Sequence, residues 1–265
     1  MIKLNSTELE GIASLFEGID DSMLISCLQG VIGSAYVRTK TNITAAVMIS
    51  GEYSFWGGDP LSEDAFYLIE HFFDIAETDN NTAIFPDNCP EWITSLTSCI
   101  RNNPIAVPRY GIVKKDYNFD DKLLQSYIDN IPSEYTLKAF DFELYSQAME
   151  SVWAKELCEY YASAEDFLDH AIGFAAVKNG ILVSACSTMS LYDGGGELSV
   201  ATHESHRRKG LAYACASAVI KECSLRGIRP CWDAANLISK KMALTLGYEY
   251  KGDYTIVHMS KNNLD

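Results

Sequence analysis

Three cationic side chains and a glycine stand at the predicted start of a helix, in the run Arg207-Arg208-Lys209-Gly210-Leu211-Ala212. The first N–H groups of a helix have no partner within the helix and carry the positive end of its dipole, so they bind anions such as a pyrophosphate. Glycine lets a ligand approach the backbone because it has no Cβ. The run therefore indicates a phosphate cradle or, as the alternative, a solvated basic helix start, since charged runs usually lie on the surface.

The cradle requires a strand before it and a helix after it, and the sequence predicts both. A strand is expected over residues 197–202, and a helix is expected over residues 210–226. Small residues along this helix allow it to lie close to a sheet and to a ligand on that sheet, and Gly227 is suited to end it. A strand over 228–234 and a helix over 237–246 are predicted to follow.

The rest of the second half is predicted to contain further strands and helices. Asn179-Gly180, between two apolar strands, is the strongest hairpin signal in the chain. A second hairpin is expected about Gly252-Asp253, between short strands at 248–250 and 254–259. The other elements expected here are strands at 135–140, 173–177 and 181–187, and helices at 141–157 and 164–171.

The first half is predicted to be a mixed α/β segment that ends near Pro132. Its first helix is expected to start near Ser6, with Thr7 and Glu10 at the spacing of a capping box. Further helices are predicted at 22–28, 61–73, 90–100 and 120–130, and strands at 34–39, 43–49, 53–56, 82–85 and 109–113. The expected fold class is therefore α/β with mixed sheets, in two domains at 1–131 and 132–265, and no internal sequence repeat is found.

The composition is that of an acidic globular protein of 265 residues, with 36 acidic side chains, 21 basic ones and a net charge of −15. This charge repels nucleic acids and anionic membranes, so neither is an expected partner. The 8 cysteines are irregularly spaced and form no C-x-x-C pair, which predicts neither a disulfide framework nor a metal site. The first residues do not have the pattern of a secretory leader, and no apolar run is long enough to cross a bilayer, which predicts a cytoplasmic protein.

Two motifs of the second half resemble those of the GNAT superfamily of acetyl-CoA-dependent N-acetyltransferases. The run 207–212 matches the family's [Q/R]-x-x-G-x-[G/A] pyrophosphate loop, directly after a predicted strand. Asn236, Ser239 and Leu246-Gly247-Tyr248 match its N-x-x-[A/S]…L-G-[F/Y] pattern. The resemblance covers residues 132–265, and the run 231–236 is also similar to bacterial two-part members with an N-terminal α/β extension.

The resemblance implies an acetyl-CoA site on the predicted strand, cradle and helix. The backbone amides of 210–212 and the cations before them would hold the phosphates, and the strand would pair through its backbone with the pantetheine arm where neighbouring strands splay apart. Asn236 either hydrogen-bonds the arm or the splayed strand, or caps the following helix. His203 and His206 are expected to be loop residues on the phosphate side. The residues that the resemblance assigns to acetyl-CoA are Val200, Ala201, Thr202, Arg207, Arg208, Lys209, Gly210, Leu211, Ala212, Asn236 and Ser239.

The candidate acid and base depart from the common pattern of the family. Ala243 stands where many members place a tyrosine, seven residues after the motif asparagine, that protonates the leaving thiolate. Tyr213, Tyr248 or a water molecule is left for that role, and Tyr248 also matches an aromatic that the family packs. Glu197 is the carboxylate best placed to act as a catalytic base, directly or through water, unless it is a solvated residue at the strand edge.

The implied reaction is attack of a neutral amine on the thioester of acetyl-CoA, with a small molecule or a peptide as the acceptor. The acidic balance of the chain favours a cationic acceptor. The alternative is an acyl-CoA-binding sensor or interaction module with little or no turnover, to which Ala243 points. The N-terminal half is expected either to bind the acceptor or to serve as an interaction or dimerisation domain, so a homodimer stays open.

Overall fold

The computed structural model describes residues 1–87, 89–99, 104–113 and 117–261, and this part of the chain divides into two compact units. The first unit is Met1–Arg109 with Asp253–Asp265, and the second is Tyr110–Gly252. Unit membership therefore does not follow chain order, because the last segment of the chain belongs with the first unit.

Strands and helices alternate through both halves of the chain. The strands are β1 (Ile2–Lys3), β2 (Ser34–Val37), β3 (Ala45–Ser50), β4 (Tyr53–Gly58), β5 (Asn80–Ile84), β6 (Ile105–Val113), β7 (Thr136–Ala139), β8 (Gly173–Lys178), β9 (Ile181–Tyr192), β10 (Gly195–Thr202), β11 (Arg229–Cys231), β12 (Asp233–Ala234) and β13 (Glu249–Ser260). The α-helices are α1 (Ser22–Leu28), α2 (Glu63–Glu70), α3 (Glu91–Cys99), α4 (Asp121–Asp129), α5 (Phe142–Glu150), α6 (Ala164–His170), α7 (Leu211–Arg226) and α8 (Leu237–Leu246). Short 3₁₀ segments span Ser6–Phe16, Phe72–Asp74, Lys155–Leu157 and Glu204–His206.

The sheet of the first unit has the strand order β1-β2-β3-β4-β5, and residues 257–260 of β13 pair with β5. The pairs are antiparallel except β4–β5, which is parallel because α2 carries the chain back between these two strands. Trp56, Phe72 and Trp92 form the centre of its apolar core. The α/β class with mixed sheets is thereby confirmed for this half.

The sheet of the second unit has the order β7-β8-β9-β10-β11. Its pairs are antiparallel except β10–β11, which is parallel, with α7 as the connection. The predicted hairpin at Asn179-Gly180 is confirmed, with positive φ at both residues (51° and 81°), as a type I′ turn needs. The opposite end of β9 carries one extra residue, Met189, where the register with β10 shifts between Glu197 and Leu198.

The helix α7 is largely buried against one face of this sheet, as its small residues predict. It ends at Gly227, whose φ of 69° confirms the predicted C-cap. The helix α4 packs against α7, where Leu124 is buried in the same apolar cluster and Tyr127 stacks on Tyr213 at 4.9 Å between ring centroids. The division of the chain therefore falls at Arg109–Tyr110 rather than near Pro132, since residues before Pro132 belong to this core.

Three local predictions were wrong. The capping box lies at Asn5 and Glu8 rather than at Thr7 and Glu10, because the Asn5 side chain accepts the N–H of Thr7 while Glu8 accepts the N–H of Asn5. The strand predicted over 228–234 is two strands, β11 and β12, which enter different sheets. No hairpin forms about Gly252, because β13 continues as one strand through that residue.

Candidate functional site

The strands β10 and β11 lie together for three residues and then separate. Gly195, Gly196 and Glu197 pair with Arg229, Pro230 and Cys231, and the next residues of β10 pair only with β9. On the far side of the gap the chain turns away, since β12 pairs with β6 at Tyr110 and Gly111 instead. The second unit therefore has an open strand edge along 198–202, at the place where the splayed strands were predicted.

The direction of the backbone groups in β10 follows from its pairing with β9. The N–H of His203 donates to a β9 carbonyl at 2.9 Å. Because alternate residues of an antiparallel strand bond to the partner, Ala201 also faces β9, while Val200 and Thr202 direct their N–H and C=O groups into the gap. The hydroxyl of Ser184 on β9 bonds to the carbonyl of Ala201 at 3.1 Å, as this alternation requires. Backbone pairing with an extended ligand therefore falls to Val200 and Thr202 and not to Ala201.

The predicted cradle lies directly beyond the open edge, at the start of α7. Arg208 and Gly210 both have left-handed backbone, with φ values of 61° and 80°. Alternation of this kind turns successive N–H groups toward one point and forms an anion-binding nest. A Cβ built on Gly210 meets no atom within 4 Å, so the loop opens to solvent at this residue.

The start of α7 also lacks a capping side chain. At the other α-helix starts whose caps the structure describes, a side chain accepts the first N–H groups; these caps are Asp21, Ser62, Asp120, Asp141, Ser163 and Asn236. The unused N–H groups of α7 and the nest before them are therefore available to an anionic ligand.

The cations of the cradle are held in place by other groups of the unit. The ammonium of Lys209 donates to the hydroxyl of Tyr135 at 2.8 Å, and this hydrogen bond raises the pKa of Lys209. The same hydroxyl lies 2.9 Å from Nδ1 of His206. The guanidinium of Arg207 donates to the carbonyl of Thr202 at 3.2 Å. Two of the three predicted cations are thus oriented by hydrogen bonds, with their remaining donors available to phosphate oxygens.

Glu197 lies at the point where β10 and β11 separate. It is 8% exposed, and its Oε1 accepts the backbone N–H of Asp233 at 2.7 Å. The carboxylate therefore connects β10 to the chain beyond β11 across the narrow end of the gap. The alternative of a solvated carboxylate is ruled out by this burial, and the predicted role of Glu197 as a base stays a prediction.

The second motif surrounds the far side of the gap. The Oδ1 atom of Asn236 accepts the N–H groups of Ile238 and Ser239 at 3.0 and 2.9 Å, which confirms that Asn236 caps α8. The cap leaves the amide nitrogen of Asn236 for other partners, because only the oxygen is used. The hydroxyl of Ser239 accepts the indole N–H of Trp232 at 2.9 Å, so it fixes the residue between β11 and β12.

Different environments surround the three positions considered for the catalytic acid, which are Ala243, Tyr248 and Tyr213. Ala243 is fully buried in the apolar core. Tyr248 is 5% exposed, and its hydroxyl donates to the carbonyl of Pro230 at 2.9 Å. Tyr213 stacks on Tyr127 of α4. Burial raises the pKa of Tyr248 well above its usual value, which disfavours proton release from this residue.

The substitution Tyr248→Phe is therefore expected to affect stability and not turnover. Loss of one buried hydrogen bond costs about 1 kcal/mol, which lowers Tm by about 2–4 °C in a chain of this size. Thermal unfolding measures the first effect and release of CoA under saturating substrate measures the second. A fall in kcat of tenfold or more would instead give Tyr248 the acid role.

Sequence reasoning missed three residues near the site. Tyr135 lies 74 positions before the lysine that it orients, so no local spacing reveals the contact. Trp153 contacts His203 edge-on at 5.8 Å between ring centroids. Ser190 lies opposite Glu197 across the β9–β10 pair, is 1% exposed, and has a hydroxyl with no hydrogen-bond partner in the described part of the chain. The small polar residues along the buried strand β9 are the sequence signal that could have found Ser190.

Within the described residues, no cluster of His, Cys, Asp or Glu has a geometry suited to a metal ion. The described cysteine side chains are all free thiols, and that of Cys99 lies outside the described atoms. Across the described ranges, no helix has both the length and the apolarity needed to cross a membrane.

Comparison with known proteins was made for the sequence and for the fold. The profile of the GNAT acetyltransferase family matches residues 13–257. An N-acetyltransferase of Bacillus subtilis (strain 168), YdfB, itself described as uncharacterized, is 32% identical over 132 residues. That match covers 48% of this chain and 49% of YdfB, so it spans about half the length of this curated relative.

Solved structures match over nearly the whole chain. A GCN5-related N-acetyltransferase-like protein from Streptococcus suis 89/1591 is 29% identical, with a TM-score of 0.85 over 96% of this chain and 99% of that chain. A tandem GNAT protein from the clavulanic acid biosynthesis pathway is 13% identical, with a TM-score of 0.60 over 100% of this chain and 99% of that chain. At that identity the second likeness concerns the fold alone.

Proposed function

Because the chain belongs to the GNAT acetyltransferase family, we propose that it moves an acetyl group from acetyl-CoA to an amine of a small molecule or peptide. The observation that carries this proposal is the open edge of β10, which leads directly into the uncapped start of α7. An extended arm and a pyrophosphate joined to it are the two parts of CoA that such a site suits.

The donor is proposed to bind along β10 and across the cradle. Val200 and Thr202 offer backbone groups to the amides of the pantetheine arm. The N–H groups of Gly210, Leu211 and Ala212 receive the pyrophosphate, and Arg208 and Lys209 add charge for the remaining phosphate. This places the thioester at the narrow end of the gap, beside Glu197.

The proposed reaction is direct transfer between bound substrates. The lone pair of the amine attacks the thioester carbon, a backbone N–H at the narrow end of the gap stabilises the oxyanion, and the C–S bond then breaks. The amine proton passes to Glu197, directly or through water, and the thiolate takes its proton from solvent. Most of the acceleration is expected from holding the two reactants together.

The acceptor is proposed to carry a positive charge on a group other than the amine that reacts. The chain carries a net charge of −15, which attracts positive ligands and repels nucleic acids. Because acetyl-CoA is a cytosolic metabolite, a cytoplasmic location is part of the same proposal.

The test is release of CoA, followed with a thiol reagent, from acetyl-CoA and a panel of small polyamines, amino sugars, amino acids and short peptides. Turnover with at least one amine, with the acetylated product identified by mass, supports the proposal. Acetyl-CoA binding measured by calorimetry without release for any amine would favour the CoA-binding module, to which the absence of a tyrosine at Ala243 points. Absence of binding as well as of release would overturn both functions.

Acetyl-CoA affinity is expected to depend on the charge of His206. Burial lowers the pKa of His206, and the nearby charges of Lys209, Lys178 and His203 lower it further, so the imidazole is mostly neutral at neutral pH. Phosphates at the cradle would raise the pKa of His206. At a pH between its pKa in the free protein and its pKa in the complex, binding of acetyl-CoA then takes up a proton. The Kd should therefore fall as the pH is lowered from about 8 to about 6, by up to about tenfold for each unit by which the bound phosphates raise the pKa of His206.

The matched measurement uses His206→Gln, which keeps a hydrogen-bonding side chain without the charge. Titration of the phosphates of CoA affects both proteins equally, so the difference between their pH profiles isolates the imidazole. Parallel profiles for the two proteins would show that His206 does not sense the ligand.

A further inference from the structure

The order of elements in the first half of the chain is repeated in the second half. From β1 to β6 the chain forms a strand, two helical segments, three strands, a helix, a strand, a helix and a last strand. From β7 to β13 it forms the same series, with β11 and β12 together taking the place of β5, when the three-residue 3₁₀ segments Phe72–Asp74, Lys155–Leu157 and Glu204–His206 are left out. The helix α4 connects the two series and belongs to neither.

The strand pairing of the two series is also the same. In each, the first four strands pair antiparallel in chain order, and the fifth pairs parallel with the fourth after a helical crossover. The parallel pair is three residues long in both cases: Tyr53–Phe55 with Thr82–Ile84, and Gly195–Glu197 with Arg229–Cys231. In both, the fourth strand continues without the fifth, as Trp56–Gly58 in β4 and as residues 198–202 in β10.

The edge of β4 that corresponds to the open edge of β10 is closed. Trp56 is 0% exposed, whereas the residues from Ser199 to Thr202 are all partly exposed. A Cβ built on Gly57 would lie 2.7 Å from the carbonyl oxygen of Leu15 and from the ring of Phe16, so the 3₁₀ segment Ser6–Phe16 packs directly on this strand. Gly57, which consists of backbone alone, is buried as well, so the first unit leaves no exposed backbone at Trp56 and Gly57 for an extended ligand.

The loop that corresponds to the cradle has the opposite charge and leads into a helix start that a side chain caps. It contains Asp59, and α2 begins with Glu63 and Asp64, where the second unit has Arg207, Arg208 and Lys209. The hydroxyl of Ser62 caps α2 by accepting the N–H of Ala65 at 3.1 Å, and Asp59 accepts the N–H of Leu61 at 2.9 Å. Carboxylates at this helix start repel a pyrophosphate, and the Ser62 hydroxyl and the Asp59 carboxylate already accept two of the N–H groups that it could bind.

We infer that the N-terminal unit is a second copy of the acyltransferase fold whose cofactor site is closed, so that each chain binds one acetyl-CoA, in the second unit. The likeness to a tandem GNAT protein over 100% of this chain supports two copies of the fold. This inference rests on the proposed function, because it counts sites for the proposed donor. It explains why the sequence shows no repeat: packing of Trp56 and the acidic loop have replaced the two features that a shared ligand would have kept.

Calorimetric titration of the full chain with acetyl-CoA, in the absence of an amine, tests the count. The expected stoichiometry is one per chain. Gly210→Asp should remove this binding, whereas Glu63→Gln, at the corresponding helix start of the first unit, should leave the Kd within about twofold, since Glu63 is 88% exposed and paired with Arg38.

Two results would overturn the inference while leaving the proposed function in place. One is a stoichiometry of two, and the other is binding of one acetyl-CoA per chain that survives Gly210→Asp but tightens tenfold in Glu63→Gln, which removes a carboxylate that would repel phosphates bound in the first unit. A stoichiometry of zero in the unaltered protein would overturn the proposed function together with the count. Thermal unfolding of each variant distinguishes loss of the site from loss of the fold.

Discussion

Gly210→Asp is expected to raise the Kd of acetyl-CoA by about a hundredfold while the fold stays intact. The substitution puts a carboxylate at the uncapped start of α7, where it competes with a pyrophosphate for the same N–H groups. Loss of one or two charge-assisted hydrogen bonds costs about 3 kcal/mol, and this amount corresponds to about a hundredfold in Kd.

The fold is expected to tolerate this change for two reasons. No atom lies within 4 Å of a Cβ at Gly210, so the aspartate side chain meets only solvent. The φ of 80° is unfavourable for most side chains, but aspartate adopts left-handed backbone more readily than most, and the cost is about 1 kcal/mol. A carboxylate that caps α7 offsets part of this cost.

Gly194→Asp is the matched control for this variant. Gly194 also has a positive φ, of 96°, with no atom within 4 Å of a built Cβ, and it lies in the β9–β10 turn, at the other end of β10 from the cradle. The Gly194→Asp variant should bind acetyl-CoA with an unchanged Kd. Equal loss of affinity in the two variants, or wild-type affinity in Gly210→Asp, would contradict the position of the cradle.

The features that the sequence predicted well are those set by local backbone chemistry. The turn at 207–210 and the helix that follows it are found where the glycine and the small residues predicted them, while phosphate binding at this turn stays a prediction. The Asn179-Gly180 turn and the end of α7 at Gly227 depend on positive φ in the same way. Such features need only neighbours in the chain, so their residue types identify them.

The features that the sequence did not predict depend on distant partners. Tyr135 orients Lys209, and Glu197 accepts the N–H of Asp233, through contacts that no spacing encodes. The strand predicted over 228–234 is divided into β11 and β12. The first pairs with β10, whereas the second pairs with β6, which lies more than a hundred residues earlier in the chain. The β13 strand runs through Gly252 because its later residues pair with β5 in the first unit rather than with its own beginning.

Glu197→Gln is expected to lower kcat by about a hundredfold or more, in the range that general-base catalysis contributes. Glutamine has nearly the same shape and keeps a carbonyl oxygen to accept the N–H of Asp233, which the carboxylate does at 2.7 Å. The junction of β10 with the chain beyond β11 should therefore be preserved, with Tm and the Kd of acetyl-CoA close to those of the unaltered protein. Steady-state rates at saturating acetyl-CoA and amine measure the loss of kcat, and calorimetry measures the Kd of acetyl-CoA.

Glu197→Ala separates the chemical role from the structural one. Alanine removes the base and also this acceptor of the Asp233 N–H, which costs about 1–3 kcal/mol for a buried donor, so Tm should fall as well as kcat. Glu222→Gln, which alters a carboxylate of α7 that pairs with Arg226, should leave kcat unchanged. If Glu197→Gln keeps full kcat and only Glu197→Ala loses it, then Glu197 acts by holding the narrow end of the gap together, and the amine proton leaves through water.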